Sequence, residues 1–469
     1  MLTDLTKIIR QLYNLMKLLI RIIFAFVLII GFSPFDPQIS SANYNENEIL
    51  SDEENSQLSQ ILASDIVLKI DSLVNAFTTQ QRFSGNVLVA LGGNAIYNRS
   101  IGYGDPIRKE PVLESDIFQL ASISKQFTAA AIMLLKSDGR IDYSDSLSKY
   151  IPELPYKGIT ISHLLHHLSG LPNYMYLIDK YWNEDRDPDN EDVVDLMAKY
   201  KLPLFFKPGS RYDYSNTGYV MLGTVVQRVS GLSLNEFLQR RLFKPLGMES
   251  TYVYSTTDTS IGRRQVDGFR ATRRGFIRIA DSHHDGPVGD KGVCSTTGDL
   301  LKWDNALYKG TVLSTDLLAQ AFEPTVTDAG KEIPYGHGFR LRESNGAKVV
   351  YHNGIWEGAR TNFHRFVEDG STIIVLNNTS VGSNHELVRL IEGALSQDKT
   401  LPLTQKISKL LIEEGLESAM DYYTEASEND PFQHPDIRKF MKAADFMYSI
   451  GKDRKAEDFR QLCEMMISI

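Results

Sequence analysis

A serine placed three residues before a lysine can become a nucleophile, because an amine one helical turn away can take the hydroxyl proton. The chain carries that spacing at Ser122/Lys125, and again at Ser146/Lys149, Ser396/Lys399 and Ser449/Lys452. Context separates them. Only Ser122 follows a short extended stretch, Phe118 to Ala121, and opens a strongly helical run, KQFTAAAIMLLK. A serine there faces the positive end of the helix dipole, with Lys125 on the same face. The other three pairs read as solvated helix or loop charges.

Two further groups suit proton handling. Lys125 can act as a base if partial burial lowers its pKa, since desolvation disfavours the ammonium. Tyr214, in Tyr214-Ser215-Asn216, could supply a second base if neighbouring cations favour its phenolate. It lies in a turn-rich loop, FKPGSRYDYSN, leading into an apolar helix, whereas the rival Tyr181-Trp182-Asn183 lies in an acidic, loop-like region. The third element is His352-Asn353-Gly354, which ends an extended run and so could line a cleft with backbone. His284-Asp285-Gly286 has the same letters in a loop. Taken singly, such a tyrosine or histidine is more often structural than catalytic.

The elements that must position these residues follow from periodicity. A helical pattern from Ile61 precedes a hairpin, SGNVLVALGGNAIYNRSIGYG, with Gly92-Gly93-Asn94 at its turn. Late in the chain GFRLRESNGAKVVYHNG turns at Asn345-Gly346, and TNFHRFVEDGSTIIVLNN turns at Asp369-Gly370. These give about five antiparallel strands from the two ends of one domain, with a mostly helical lobe, Ser122 to Tyr308, between them. The class is α+β, an antiparallel sheet flanked by helices, with a cleft between sheet and lobe. That domain is expected over residues 61–398. Residues 399–469 read as a small all-α extension, broken at Gly415 and Gly451 with a spacing close to the ~34 of tetratricopeptide repeats. A plain helical extension is the alternative, and either suits a protein partner.

Composition narrows the partners. A net charge of −9 without a basic block argues against nucleic acid. Two cysteines, Cys294 and Cys463, far apart, predict neither a disulfide framework nor a Cys/His metal site. No metal or cofactor is expected, only a small-molecule or peptide substrate. At the N-terminus Lys7, Arg10, Lys17 and Arg21 precede the apolar run Ile22 to Phe32. This is the pattern of an export signal over residues 1–42, with an uncleaved membrane anchor as the alternative. An acidic polar linker, 43–60, follows. The protein is expected outside the cytoplasm, free or anchored.

With these residues in place, the chain resembles the serine β-lactamase and penicillin-binding-protein superfamily, nearest to its class C and carboxylesterase branch. The resemblance rests on Ser122/Lys125, Tyr214/Asn216 and His352/Gly354 in the family's order, with the flanking blocks ITISHLLHHLSGLPNY, FKPLGMEST and CSTTGDLLKW. It implies a β-lactamase/transpeptidase-like fold and an acyl-enzyme on Ser122. Lys125 and Tyr214 would shuttle the proton and activate water, Asn216 would orient substrate and lysine, and the N–H groups of Ser122 and Ile355 would form the oxyanion hole. His352 stands where the family's β-lactamases carry the lysine of Lys-Thr-Gly. A neutral imidazole weakens the case for substrates held by a carboxylate and leaves Tyr214 less assisted. Ester or peptide hydrolysis is therefore expected ahead of β-lactamase or D,D-carboxypeptidase activity, and ahead of a silent envelope-binding role. Ile355, bulkier than the small residue often found there, is expected to narrow the acyl pocket.

Overall fold

The computed structural model describes residues 54, 57–58, 64–80, 83–258, 265–344, 346–368, 370–380, 384–397, 403–429, 435 and 437–468. The N-terminal signal or anchor segment lies outside the described residues. Among those described, no helix is long and apolar enough to cross a membrane.

Six strands form the main sheet: β1 Gly85–Leu91, β2 Asn94–Ile101, β3 Arg340–Ser344, β4 Ala347–Trp356, β5 Ala359–Phe366 and β6 Ser371–Asn377. Their order is β3-β4-β5-β6-β1-β2, every pair antiparallel, so the early hairpin completes the late strands at the β6–β1 seam. Of the expected turn residues, Asn345 and Asp369 lie outside the described residues, and the Gly92-Gly93 turn closes the β1–β2 hairpin. Gly92 and Gly93 take φ of 55° and 81°, and a type I′ turn needs positive φ at both central positions.

Side-chain alternation sorts the two faces. Val87, Val89, Val349, Ile373 and Val375 pack against α1, Ser64–Gln80, through Ile66, Ile70, Val74 and Phe77. Leu88, Val350, Phe363, Ile374 and Leu376 face the larger core shared with the helical lobe. The centre of that core is α2, Ser124–Ser137, buried continuously from Ser124 to Leu135. Two later helices of the lobe are α3, Asn216–Ser230, and α4, Thr297–Lys309, and Phe127 of α2 meets Trp303 of α4 with ring centroids 5.1 Å apart. One expected loop is instead partly helical: Asn173 accepts from the Met175 N–H and caps the helix Tyr174–Tyr181, which buries Tyr174, Leu177 and Ile178. The rival Tyr181 stacks on Tyr200 at 3.7 Å.

α5, Asn384–Gln397, closes the α1 face of the sheet. Four more helices follow: α6 Leu403–Glu413, α7 Leu416–Asn429, α8 Ile437–Ser449 and α9 Asp453–Ser468. They form two hairpins that break at Gly415 and Gly451, with φ of 98° and 75°. Their apolar core includes Ala419, Tyr423, Ala456 and Phe459. Leu58, inside the expected polar linker, is helical and joins this core. An isolated leucine among acidic residues gives no periodic signal, which is why the sequence pattern misses it. Cys294 and Cys463 are both buried, and neither is in a disulfide.

One buried ion pair ties sheet to lobe. Arg365 of β5 donates through Nε to Asp304 of α4, and the Thr372 hydroxyl donates to the other carboxylate oxygen at 2.6 Å. Both charges are out of solvent, with 1% and 0% of their side-chain surface exposed. Asp304→Ala strands the guanidinium and is expected to cost about 3–5 kcal/mol in denaturant unfolding. A loss below about 1 kcal/mol would contradict this account.

Candidate active site

The nucleophile's turn is built under strain. The strand Phe118–Gln119 pairs with Val293–Ser295, and the Leu120 N–H then donates to the Val293 carbonyl at 2.8 Å. Ala121 adopts φ of 51°, unusual for a residue with a Cβ, and turns the chain into a short 3-10 segment, Ala121–Ile123. Ser122 thus stands in a tight turn two residues ahead of α2, outside the helix that the sequence pattern predicts it to open. Gly354 of β4 presses on this turn. A Cβ there would lie 2.3 Å from the Leu120 carbonyl oxygen and 2.1 Å from Thr361 Oγ1, so only glycine permits the approach.

Beyond Tyr351, β4 runs past the end of β3, whose last pair is Arg340 with Tyr351. Residues 352–356 therefore have no strand partner on that side among the described residues, and this edge borders the Ser122 turn. Ile355 is 68% exposed, so its side chain stands at an open rim instead of narrowing a closed pocket.

Lys125 is fully buried, and its Nζ lies 3.1 Å from Ser122 Oγ, 2.9 Å from Asn216 Oδ1 and 2.8 Å from the Asp290 carbonyl oxygen. The last two atoms can only accept. When the amine is neutral, these two acceptors take both of its protons and leave the lone pair for the serine hydroxyl. Burial pushes the Lys125 pKa down to about 7; Asp290 opposes the shift and Arg340 adds to it. Asp290 is itself held, its Oδ2 accepting from the Tyr174 hydroxyl at 3.1 Å, while Lys291 Nζ donates to that same Tyr174 oxygen at 2.8 Å.

Tyr214 lies across from this pair, with its ring centroid 5.0 Å from Lys125 Nζ. Burial raises its pKa above the ordinary phenol value, offset only in part by the Ser122 hydroxyl and Arg340. The expected route to a phenolate therefore fails on desolvation, and the phenol keeps its proton at neutral pH. Ser215 caps α3 by accepting from the Gly218 N–H at 3.2 Å, which fixes Asn216 as the first helical residue, facing Lys125. A cavity of about 240 Å³ adjoins Tyr214 and Asn216, lined also by Leu171, Asn173, Phe205, Phe206 and Asp213.

His352 is buried and donates from Nδ1 to the Asn353 carbonyl at 2.8 Å, so Nε2 accepts from the Tyr335 hydroxyl at 3.1 Å. Burial, then Lys125 and Arg340, hold its pKa well below the imidazole range. It is neutral, as the sequence suggests.

The match to known proteins fits this geometry. Residues 70–395 match the family Beta-lactamase. The chain belongs to that family. Penicillin-binding protein 4* of Bacillus subtilis (strain 168) is 33% identical over 336 residues, covering 68% of this chain and 73% of that protein. A D-aminopeptidase of Brucella anthropi is 25% identical over 316 residues, and the match spans 66% of this chain but 59% of that enzyme. The D-amino acid amidase of Ochrobactrum anthropi has the same fold, with a TM-score of 0.61 and 24% identity over 71% of this chain and 99% of that one. This member of the Beta-lactamase family is a serine hydrolase.

Sequence reasoning missed Arg340. Its guanidinium lies 5.1 Å from the Tyr214 ring centroid and 6.0 Å from that of Tyr335, with no acidic partner among the described residues. The sequence holds an indirect signal: an Asn-Gly dipeptide at 345–346 predicts a two-residue turn, and the strands on either side pair Arg340 with Tyr351, the neighbour of His352. Strand alternation alone puts a side chain paired with Tyr351 on the face opposite His352, so only the fold shows Arg340 over the Tyr214 and Tyr335 rings.

Proposed function

We propose that this hydrolase cleaves peptide or ester bonds through an acyl-enzyme on Ser122, with neutral Lys125 as the base and Tyr214 as the proton donor. The observation that carries this reading is a buried amine 3.1 Å from Ser122 Oγ whose other two neighbours, Asn216 Oδ1 and the Asp290 carbonyl, can only accept, so that its neutral form keeps a lone pair for Ser122. The serine oxygen attacks the substrate carbonyl as its proton passes to Lys125. The N–H groups of Ser122 and Ile355 receive the oxyanion, each donor being worth about 10²–10³ in rate. Tyr214 protonates the departing group and is reprotonated from the Lys125 ammonium. Water then resolves the ester, with Lys125 again the base. The charged and apolar N-terminal segment supports a site of action outside the cytoplasm.

Arg340 favours a second, narrower reading: substrates that end in a carboxylate, the chemistry that a neutral His352 alone could not hold. The test is a panel of neutral p-nitrophenyl esters, D-residue amides, peptides ending in D-alanine, and cephalosporins. Turnover of none of them would defeat the proposal, and turnover of neutral members alone would defeat the carboxylate reading. Arg340→Gln is expected to lower the kcat/KM ratio of carboxylate-bearing to neutral substrates about 10–100-fold, as loss of a charge-assisted hydrogen bond does.

A further inference from the structure

Tyr214 can serve as a proton donor only if its hydroxyl is held still, and it sits in a loop. One residue grips that loop on both sides. The carbonyl of His167 accepts from the Asp213 N–H at 3.0 Å, and His167 Nδ1 accepts from the Ser215 N–H at 3.0 Å. Between these two bonds the imidazole faces the Tyr214 ring with centroids 4.4 Å apart. The grip holds His167 at φ of 60°, in the left-handed region that a histidine adopts uncommonly. Because Nδ1 accepts, Nε2 carries the proton, and it is buried with no hydrogen-bond partner among the described residues. Strain and an unpaired donor together persist only where the surroundings enforce them.

The ring also abuts Tyr335, at 4.5 Å, and Tyr335 donates to His352. His167 thus lies between the Tyr214 loop and the β4 side of the cleft.

We propose that His167 is a positioning residue that fixes the Tyr214 hydroxyl for protonation of the leaving group. This rests on the assignment of Tyr214 as proton donor, and the test separates the two. A p-nitrophenolate leaves without help, whereas an amide nitrogen must be protonated as it departs. Asparagine tolerates positive φ and offers a side-chain acceptor for the Ser215 N–H, but it has no ring to set against Tyr214.

In the full-length enzyme, His167→Asn is expected to lower the kcat ratio of amide to p-nitrophenyl ester about 10²-fold, the scale of an ångström-sized misplacement. Fluorophosphonate labelling of Ser122 monitors the rest of the site and is expected to persist. Tyr214→Phe should lower the same ratio, and adding His167→Asn to it should lower it no further. If Tyr214→Phe leaves the ratio unchanged, the proton-donor assignment fails, and this inference with it. If Tyr214→Phe lowers the ratio but His167→Asn slows amide and ester alike, or neither, the positioning role alone is overturned.

Discussion

Ser122→Ala is expected to abolish fluorophosphonate labelling and to lower substrate turnover by on the order of 10⁶-fold, the scale seen when a serine hydrolase loses its nucleophile. The reason is local. Ser122 Oγ is the hydroxyl that Lys125 Nζ approaches, at 3.1 Å, and the Ser146/Lys149 and Ser449/Lys452 pairs lack such a setting. Lys149, for example, pairs with Asp145 at 3.0 Å in an exposed turn. Intact protein mass after labelling, followed by peptide mapping, checks both halves of the claim. Label on a different serine, or parental turnover by the alanine variant, would remove the foundation of the mechanism.

Lys125→Met is expected to slow acylation about 10²–10⁴-fold, the usual worth of general-base assistance. Methionine keeps much of the buried stem volume but offers no lone pair to the serine. A pH profile gives the complementary result. The base works only as the free amine, so kcat/KM of the parent should rise with pH and reach half its plateau at about 7. The sign is fixed by the direction of the shift. Burial lowers the pKa of the amine, so the neutral form exists at pH values where an exposed lysine remains almost wholly protonated. A profile flat between about pH 5 and pH 9 would exclude Lys125 as the base. A half-point near the ordinary lysine value of about 10.4 would show that the amine is not buried as described. His352 adds no second limb in this range, because burial holds its pKa well below the usual imidazole value.

The α+β class, the hairpin turns, the C-terminal helices and the order of the three motifs are all legible in the amino-acid pattern. Each depends on neighbours along the chain. Ser122 and Lys125 are three residues apart on one turn, Tyr214 and Asn216 flank a helix cap, and Gly92-Gly93 dictate their own turn. What escapes is set by distance along the chain. Lys125 reaches Asn216 across 91 residues and the Asp290 carbonyl across 165, and no spacing rule predicts either contact.

The protonation states of the site are decided in the same way. From sequence, Lys125 and Tyr214 are both candidate bases, because a pKa depends on solvent exclusion and on charges brought in from elsewhere. Tertiary burial separates them, lowering the amine and raising the phenol by one mechanism acting on opposite charge types. Likewise His352 suggests a site without a cation, whereas the fold brings Arg340 over the Tyr214 and Tyr335 rings that flank the histidine. The sequence by itself determined which groups could do chemistry, since that is a matter of residue type and of contacts within a turn or two. Only the tertiary structure determined which group gives a proton and which takes one, because desolvation and long-range contacts exist only once the chain has folded.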